Sequence, residues 1–253
     1  MTGRKELQSC NVVVTGSSSG IGRAIALEMA AAGAHVLVHG RANEEGVRQT
    51  ASECQEHGVR VKTALADLAT DSGRRSLIDT AWKEFSTINV WINNAGADVL
   101  TGTGKDLSYE DKLDLLWKVD VLATIFLSRM AADRMRAHDG GVILNMGWDQ
   151  ASTGMEGDSG EYFATTKGAI MAFSRSFAKS VAPSVRVNCL APGWIRTAWG
   201  DAADSYWQER VREEIPLGRW GDAGDVARVA RFVASPDAAF ISGQVIPING
   251  GAT

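Results

Sequence analysis

The 253-residue chain has few cysteines and histidines and no long apolar segment, and these absences exclude several classes of protein. Cys10, Cys54 and Cys189 are too few and too widely spaced for a disulfide framework or a cysteine zinc site. The four histidines show no ligand spacing, so we predict no metal site. No stretch approaches the roughly 18 apolar residues of a membrane span, and the N-terminus lacks the apolar run of a signal peptide. We therefore expect a cytoplasmic protein without a membrane partner.

Charge is nearly balanced, with 26 lysines and arginines against 30 aspartates and glutamates. The formal net charge of −4 leaves no excess of basic residues for a phosphate backbone, so nucleic acid is not expected as a partner. The length suits one large domain with a sizeable core and leaves no room for a second full domain. We predict a single domain over residues 1–253 with one site.

Short apolar runs alternate along the chain with longer segments of helical period. Most of the apolar runs are continuous, as in a parallel sheet that is covered by helices on both faces. The alternation predicts an α/β fold of the Rossmann type, with a doubly wound, seven-stranded parallel sheet. The strands are predicted at 11–16, 34–40, 59–67, 88–96, 141–147, 185–193 and 243–250. The helices are predicted at about 20–32, 43–57, 71–86, 106–137, 160–180 and 222–234, with a short helix in an insertion at 197–221.

The loop after the first predicted strand reads TGSSSGIG. Gly16, Gly20 and Gly22 allow a tight turn and the close approach of a pyrophosphate to the N-terminus of the following helix. A purely structural interpretation, three glycines in a tight turn, explains the same residues. The glycines alone are therefore a weak signal for a nucleotide site.

Further motifs occur in a fixed order along nearly the whole chain. They are TGxxxGxG from Thr15 to Gly22, DL at 67–68, NNAG at 93–96, PGWIRT at 192–197, IPLGRWGDAGDVA at 215–227 and SGQVIPINGG at 242–251. On these motifs the chain resembles the short-chain dehydrogenase/reductases, particularly their FabG-like ketoacyl reductase branch. The resemblance implies an oxidoreductase that binds a nicotinamide dinucleotide in the loops that follow the strands.

The resemblance also assigns roles to individual cofactor residues. Asp67 and Leu68 should contact the adenine, residues 93–96 should line the adenine ribose, and Ile195 and Thr197 should hold the nicotinamide amide and the pyrophosphate. The full set expected to bind the cofactor is Gly16, Ser18, Ser19, Gly20, Ile21, Gly22, Arg41, Asp67, Leu68, Asn94, Ala95, Gly96, Lys167, Pro192, Gly193, Ile195 and Thr197.

The end of the second predicted strand bears on the choice between NADP and NAD. Proteins that use NAD place a carboxylate there for the ribose hydroxyls, whereas this chain has Gly40 followed by Arg41. A guanidinium can hold a 2′-phosphate through two parallel hydrogen bonds. NADP is therefore favoured, with NAD possible, although Arg41 could also be a solvated loop cation.

The catalytic residues depart from the family pattern. In the family, a tyrosine four residues before a lysine protonates the substrate, a serine binds the carbonyl and an asparagine anchors a water relay. Lys167 matches the lysine, but Phe163 stands four residues before it and Tyr162 five. Trp148 falls at or beside the serine position, and Asp120 falls on the asparagine position.

Several replacement acids follow from these residues. Tyr162 would face away from Lys167 in a regular helix, because positions five apart differ by about 140° around the axis. It could reach the site if the helix begins near Phe163 or if a bulge absorbs one residue. Other candidate acids are Asp149 and a water held by Lys167, whereas the Trp148 indole N–H could replace the serine as a hydrogen-bond donor. Asp120 would favour the charged form of Lys167 if the two side chains pair.

Two functions compete on this evidence. The first is an NADP-dependent oxidoreductase that transfers hydride from NADPH to a carbonyl or an activated C=C or C=N substrate through a non-standard acid site. The second is a catalytically silent family member that binds nucleotide or serves as an oligomer subunit. The cofactor motifs favour the enzyme, because drift after loss of activity would scatter damage over those loops.

The insertion at 197–221 resembles the substrate lid of the family and is rich in aromatic residues. An aromatic-lined pocket would suit an apolar or aromatic small molecule, although these rings could instead fill core or an interface between subunits. The long predicted helices and the last strand resemble the surfaces through which the family forms dimers and tetramers, which implies a homo-oligomer. The aromatic residues in question are Trp194, Trp199, Tyr206 and Trp207, with Trp148 facing them.

Overall fold

Seven strands form one parallel sheet in the order β3-β2-β1-β4-β5-β6-β7 in a computed structural model that describes residues 6–197, 200 and 205–252. The predicted doubly wound sheet of seven strands is confirmed, since the strand order reverses direction on either side of β1. The strands are β1 Asn11–Val14, β2 His35–Gly40, β3 Val61–Leu65, β4 Val90–Asn93, β5 Gly141–Met146, β6 Val185–Pro192 and β7 Val245–Ile248.

The helices lie between consecutive strands and cover both faces of the sheet. A short helix, α7, lies within the insertion that the sequence predicts at 197–221, and Trp199 is outside the described residues. The helices are α1 Gly20–Ala31, α2 Glu44–Gln55, α3 Asp71–Phe85, α4 Tyr109–Leu116, α5 Ala123–Arg136, α6 Asp158–Val181, α7 Ser205–Glu214 and α8 Ala223–Ala234.

Two hydrophobic layers form because successive strand side chains point to opposite faces. Val12 and Val14 of β1 are fully buried on the face covered by α1 and α8. Val13 is fully buried on the other face, against residues of α3, α5 and α6. Both faces of the central strands are therefore apolar, which explains why the strands read as continuous apolar runs in the sequence.

The predicted helix at 106–137 is interrupted. It consists of α4, a π-helical segment from Trp117 to Leu122, and α5. The wider π turn places Asp120 in the interior, where its side chain is 2% exposed. Such π segments are mostly single turns inside α-helices, and here the sequence predicts one continuous helix across it.

Helix α6 begins before Tyr162, whereas a role for Tyr162 as the acid would need the helix to begin near Phe163. It starts at Asp158, after Gly157 with φ of 85°, and continues as α-helix to Val181. Tyr162, Phe163 and Lys167 therefore all lie within regular helix, and no bulge brings Tyr162 into line with Lys167. The two ways in which Tyr162 could have replaced the family tyrosine are both absent from this helix.

Two further observations concern the described part of the chain. It contains no helix that is both long and apolar enough to span a membrane. It also contains no group of three or more His, Cys, Asp or Glu side chains that could hold a metal ion.

Candidate active site

A groove of about 1130 Å³ crosses the carboxyl edge of the sheet and runs from Arg41 to Lys167. Its position is where ligands bind in open α/β sheets. Of the residues that the sequence predicts for the cofactor, Pro192, Gly193 and Ile195 line an adjoining cavity instead, and Gly20 lines neither space. The others line the groove: Gly16, Ser18, Ser19, Ile21, Gly22, Arg41, Asp67, Leu68, Asn94, Ala95, Gly96, Lys167 and Thr197.

The glycine turn packs so closely against the neighbouring backbone that it has no space for side chains at Gly16 and Gly22. A Cβ at Gly16 would lie 2.7 Å from the Cα of Ala95, and a Cβ at Gly22 would lie 2.3 Å from the carbonyl oxygen of Gly16. Ser19 caps α1 in an extended conformation and makes no side-chain bond to the first-turn amides. These amides, together with the positive end of the helix, fit a pyrophosphate.

His39 supports this turn from beneath. Its Nδ1 accepts a hydrogen bond from the amide of Gly16 at 3.1 Å, and its Nε2 lies 3.1 Å from the carbonyl oxygen of Ala66. These contacts suit the neutral ring, and burial lowers the pKa of His39 from 6.5 to about 4. From the sequence, this histidine has no assigned role beyond its exclusion as a metal ligand, since nothing in its spacing marks the contact with Gly16.

Thr15 and Asn94 connect the ends of β1 and β4 behind the groove. The Thr15 hydroxyl accepts hydrogen bonds from the amides of Asn94 and Ala95, both at 2.9 Å. The Asn94 side chain donates to the carbonyl oxygen of Thr15 at 3.0 Å. The loop predicted to line the adenine ribose is thus held against the glycine turn.

The end of β2 places a glycine and an arginine, and no carboxylate, at the groove. A Cβ at Gly40 would lie 2.7 Å from Cγ2 of Val47, so the position where NAD enzymes carry a carboxylate has no space for a side chain. Arg41 is exposed, lines the groove and forms no ion pair with any residue that the structure describes. Its guanidinium is therefore available to a phosphate.

Lys167 and Asp120 form a buried ion pair where the groove meets the adjoining cavity. The Lys167 Nζ lies 2.7 Å from Oδ1 of Asp120, and the two side chains are 14% and 2% exposed. The other carboxylate oxygen, Oδ2, accepts a hydrogen bond from the amide of Ala97 at 2.9 Å. The ion pair between Asp120 and Lys167 considered from the sequence is therefore present.

Phe163, rather than Tyr162, stands beside Lys167. Phe163 and Lys167 are four residues apart on one face of α6, and both line the groove and the cavity. Tyr162 is 3% exposed and packs with Val99 and Leu116, and it lines neither space. Burial is the main cause that raises the pKa of Tyr162 above its ordinary value. The structure does not bring this predicted acid to the site.

The adjoining space, here called the aromatic cavity, measures about 360 Å³. Trp148 contacts Phe163 edge to face, with ring centroids 6.3 Å apart. Trp194 packs with Trp207 at 5.5 Å and with Trp220 at 5.9 Å. The sequence interpretation missed Trp220, and Tyr206 is 62% exposed and is not part of the lining. The aromatic lining residues are Trp148, Phe163, Trp194, Trp207 and Trp220.

Ser159 adds a hydroxyl to this lining that the sequence interpretation missed. It lies in the first turn of α6, four residues before Phe163 and eight before Lys167. The four-residue spacing puts all three on one face of the helix. That spacing could have revealed Ser159 once Lys167 was taken as the reference point.

Asp149 points elsewhere. Its Oδ1 accepts a hydrogen bond from the amide of Gln150 at 2.8 Å, and burial raises the pKa of the carboxyl above its ordinary range. The residue lines a third cavity of about 320 Å³ with Arg210 and Glu214, and it is not part of the lining of the aromatic cavity. This candidate acid is also not brought to Lys167.

Arg210 of α7 reinforces the outer wall of the aromatic cavity. Its guanidinium lies 5.1 Å from the ring centroid of Trp207. It pairs with Glu156 at 2.8 Å and with Glu214 at 2.6 Å, and Glu214 accepts a hydrogen bond from Nε1 of Trp194 at 3.1 Å. These contacts connect α7 to the segment that precedes α6.

Comparison with known families and proteins agrees with this geometry. Residues 16–253 match the family model described as enoyl-(acyl carrier protein) reductase. The 3-oxoacyl-[acyl-carrier-protein] reductase FabG of Aquifex aeolicus is 32% identical over 250 residues, which cover 97% of this chain and 98% of the relative.

Two solved structures share the fold along their full length. A short-chain dehydrogenase from Burkholderia cenocepacia in complex with NADP is 29% identical, with a TM-score of 0.89 and coverage of 98% of this chain and 99% of that one. A 7α-hydroxysteroid dehydrogenase in complex with NADH and a 7-oxo bile acid conjugate is 26% identical, with a TM-score of 0.89 and coverage of 100% and 98%.

Proposed function

The chain belongs to the short-chain dehydrogenase/reductase family, as an NAD(P)-dependent oxidoreductase with FabG-like relatives, and from this premise we propose that it reduces an activated acceptor without the family's tyrosine acid. The observation that supports the proposal is the position of Lys167 between an intact cofactor groove and an aromatic cavity in which Phe163 replaces the tyrosine. The acceptor is a carbonyl, or a C=C or C=N bond that is already activated.

The cofactor is NADP, with NAD possible, as the relatives with bound NADP and NADH support. We propose that Arg41 sets a preference for NADP by holding the 2′-phosphate. When bound, the reduced cofactor supplies a hydride, that is, two electrons and one proton transferred together. The glycine turn would hold its pyrophosphate, and Lys167 would hold the nicotinamide ribose.

Asp120 has a positioning role in this proposal. The family's asparagine can donate and accept hydrogen bonds, whereas the Asp120 carboxylate accepts one from Ala97 and pairs with Lys167. This fixes the ammonium group at the junction of the groove and the cavity. A water bound to Lys167 is then the nearest source of a proton, since Tyr162 and Asp149 line neither space.

The lining of the aromatic cavity favours an apolar or aromatic small molecule. The lid role of residues 197–221 belongs to the same proposal, supported by Trp207 in the lining and by the Arg210 contacts.

We also propose a homo-oligomer, a dimer or tetramer, in the cytoplasm. Trp117 and Phe126 near α5 are exposed in the chain, at 40% and 43%, and suit such an interface.

The decisive experiment measures NADPH oxidation with ketones, enones, quinones and imines after NADPH binding has been confirmed. It compares the wild-type chain with Tyr162→Phe, which removes only the hydroxyl of a residue that lines neither the groove nor the aromatic cavity. We expect turnover of at least one activated acceptor and equal rates in the two proteins. Loss of turnover in Tyr162→Phe with NADPH binding intact would restore Tyr162 as the acid. Binding without turnover of any acceptor would favour the silent family member.

A further inference from the structure

We propose that the aromatic cavity binds a cationic acceptor of the iminium class, in which a carbon doubly bonded to a positively charged nitrogen receives the hydride. This inference rests on the proposed function and names the substrate class of the same site. Three observations carry it: the atoms present at the acid positions, the rings that line the cavity, and the balance of charge around it.

The acid positions offer a poor environment for a developing oxyanion. A ketone that receives hydride becomes an alkoxide, which needs a hydrogen-bond donor or a proton at that oxygen. Phe163 presents only carbon and hydrogen, and its ring packs against Trp148 at the serine position. On this face of α6, the nearest lining hydroxyl is that of Ser159, about 6 Å along the axis from Phe163 and about 12 Å from Lys167.

An iminium ion does not need that donor. The hydride forms a new C–H bond, the two π electrons of the C=N bond become the nitrogen lone pair, and NADPH is oxidised to NADP⁺. The product is a neutral amine, and no proton enters or leaves. The loss of the tyrosine and serine therefore removes nothing that this reaction requires, whereas a ketone must also take up one proton.

The rings of the cavity are suited to a cation. The faces of tryptophan attract a positive charge within about 6 Å of the ring centroid, and the attraction is stronger in a site shielded from water. Trp207 already makes such a contact with Arg210 at 5.1 Å. Four tryptophans and one phenylalanine surround the remaining space. A bound cation would therefore lie among several aromatic rings.

Neighbouring protein charges do not oppose a cation. The charge of Lys167 is compensated by Asp120 at 2.7 Å. Arg210 is paired with two carboxylates, Glu156 and Glu214, and Glu214 also accepts a hydrogen bond from the indole of Trp194. These two ion-pair groups thus contain more carboxylates than cations, and a positive substrate would complement the excess.

Binding can be tested without turnover. Benzyltrimethylammonium and its uncharged carbon isostere, neopentylbenzene, have nearly the same shape and cannot be reduced. Isothermal titration calorimetry on the full chain with NADPH, whose nicotinamide ring is uncharged, should show that the cation binds about tenfold tighter. Trp207→Leu should reduce this preference to less than about threefold, and Phe240→Leu, a substitution of a fully exposed ring, should preserve it. Equal or tighter binding of the uncharged isostere would overturn the inference.

Phe163→Leu provides a second test if Trp207→Leu does not fold. It removes a ring at the junction and should reduce the cation preference at least threefold, while NADPH binding is retained. A folded Phe163→Leu protein with the full preference for the cation would contradict the assignment.

Turnover separates this inference from the proposed function. An N-methyl dihydroisoquinolinium salt and tetralone share a bicyclic skeleton, and each rate is divided by that of the uncatalysed reaction with NADPH. We expect the normalised kcat/KM of the iminium to exceed that of the ketone about 100-fold. A higher normalised value for the ketone would overturn the inference and leave the proposed function intact. No reduction of either compound, or of any other acceptor, by a protein that binds NADPH would defeat both.

Discussion

The cofactor groove and the aromatic cavity share Lys167 and Phe163, but different kinds of chemical group line the rest of each space. The groove is lined largely by glycine, backbone and small polar groups, and it is held by hydrogen bonds that Thr15 and His39 accept from backbone amides. The cavity is lined largely by aromatic rings and has lost the hydroxyls expected at two positions. Under the proposed function, the part of the fold that handles the hydride is kept while the part that handles the proton is rebuilt.

The largest loss of activity is expected when Lys167 is substituted, because this residue lines both the groove and the aromatic cavity. Lys167→Ala should reduce turnover about 1000-fold and weaken NADPH binding. It should also lower the free energy of unfolding by about 3 kcal/mol, because Asp120 would be buried without its partner. Steady-state kinetics, calorimetry and chemical unfolding measure the three quantities.

The matched control is Lys167→Ala combined with Asp120→Asn. This double variant removes the unpaired charge, so it should recover stability but not turnover. Unchanged NADPH binding in Lys167→Ala would contradict the position of the cofactor on which the comparison of the two regions depends.

His39 tests whether the groove depends on a neutral buried ring. Its pKa is lowered from 6.5 to about 4 in the folded chain, so below about pH 6.5 the unfolded chain takes up a proton that the folded chain does not. The contribution of His39 to stability is complete above that pH and falls by up to about 3 kcal/mol as the pH drops to 4.

Unfolding by urea at several pH values measures this contribution. His39→Asn should show a correspondingly smaller loss of stability between pH 7 and pH 4 than the wild-type chain. The difference between the two proteins removes the contributions of other titrating groups. Parallel pH profiles for both would rule out this role of His39.

A substitution of Arg41 tests the comparison at the end of the groove opposite Lys167. Arg41→Asp should weaken NADPH binding about 100-fold, because a phosphate contact is lost and a repulsive charge is added, and it should affect NADH much less. Arg48→Asp on α2 makes the same change of charge at a residue that does not line the groove, and it should leave the preference intact. Equal losses for the two cofactors in Arg41→Asp would refute the phosphate contact.

The smallest effect is expected at the cavity alone. Trp148→Ala should raise KM for an apolar acceptor about tenfold and leave NADPH affinity unchanged, because Trp148 lines the cavity and not the groove. Phe240→Ala, which removes an exposed ring elsewhere, should change neither quantity. A Trp148→Ala protein that is strongly destabilised, but whose folded fraction keeps the selectivity of the wild-type chain, would assign this ring to the core.

The sequence predicted the groove better than the cavity for physical reasons. Glycines at fixed spacing after a strand have few structural alternatives, so Gly16 and Gly22 were placed correctly. The cavity depends on where a helix begins and which way a loop turns. The start of α6 at Asp158 decides that Phe163 faces Lys167, and the turn that begins at Asp149 directs the carboxylate to another cavity. Neither is fixed by local hydrophobic pattern.

Contacts between distant segments were beyond sequence reasoning. His39 reaches Gly16 from a different strand, and Trp220 reaches the cavity from the turn before α8. No periodicity connects such residues, because their proximity results from the packing of the whole sheet. By contrast, Ser159 could have been found from its four-residue spacing to Phe163.

The four indole rings around the cavity also make the protein its own optical reporter. They are half of the eight tryptophans in the chain, and each borders the space that a substrate would fill. Tryptophan emission depends on the polarity around the ring, and it overlaps the absorption band of a reduced nicotinamide. Filling of the cavity and of the groove should therefore change the ultraviolet fluorescence in different ways, so that the order of ligand binding can be followed in unlabelled protein.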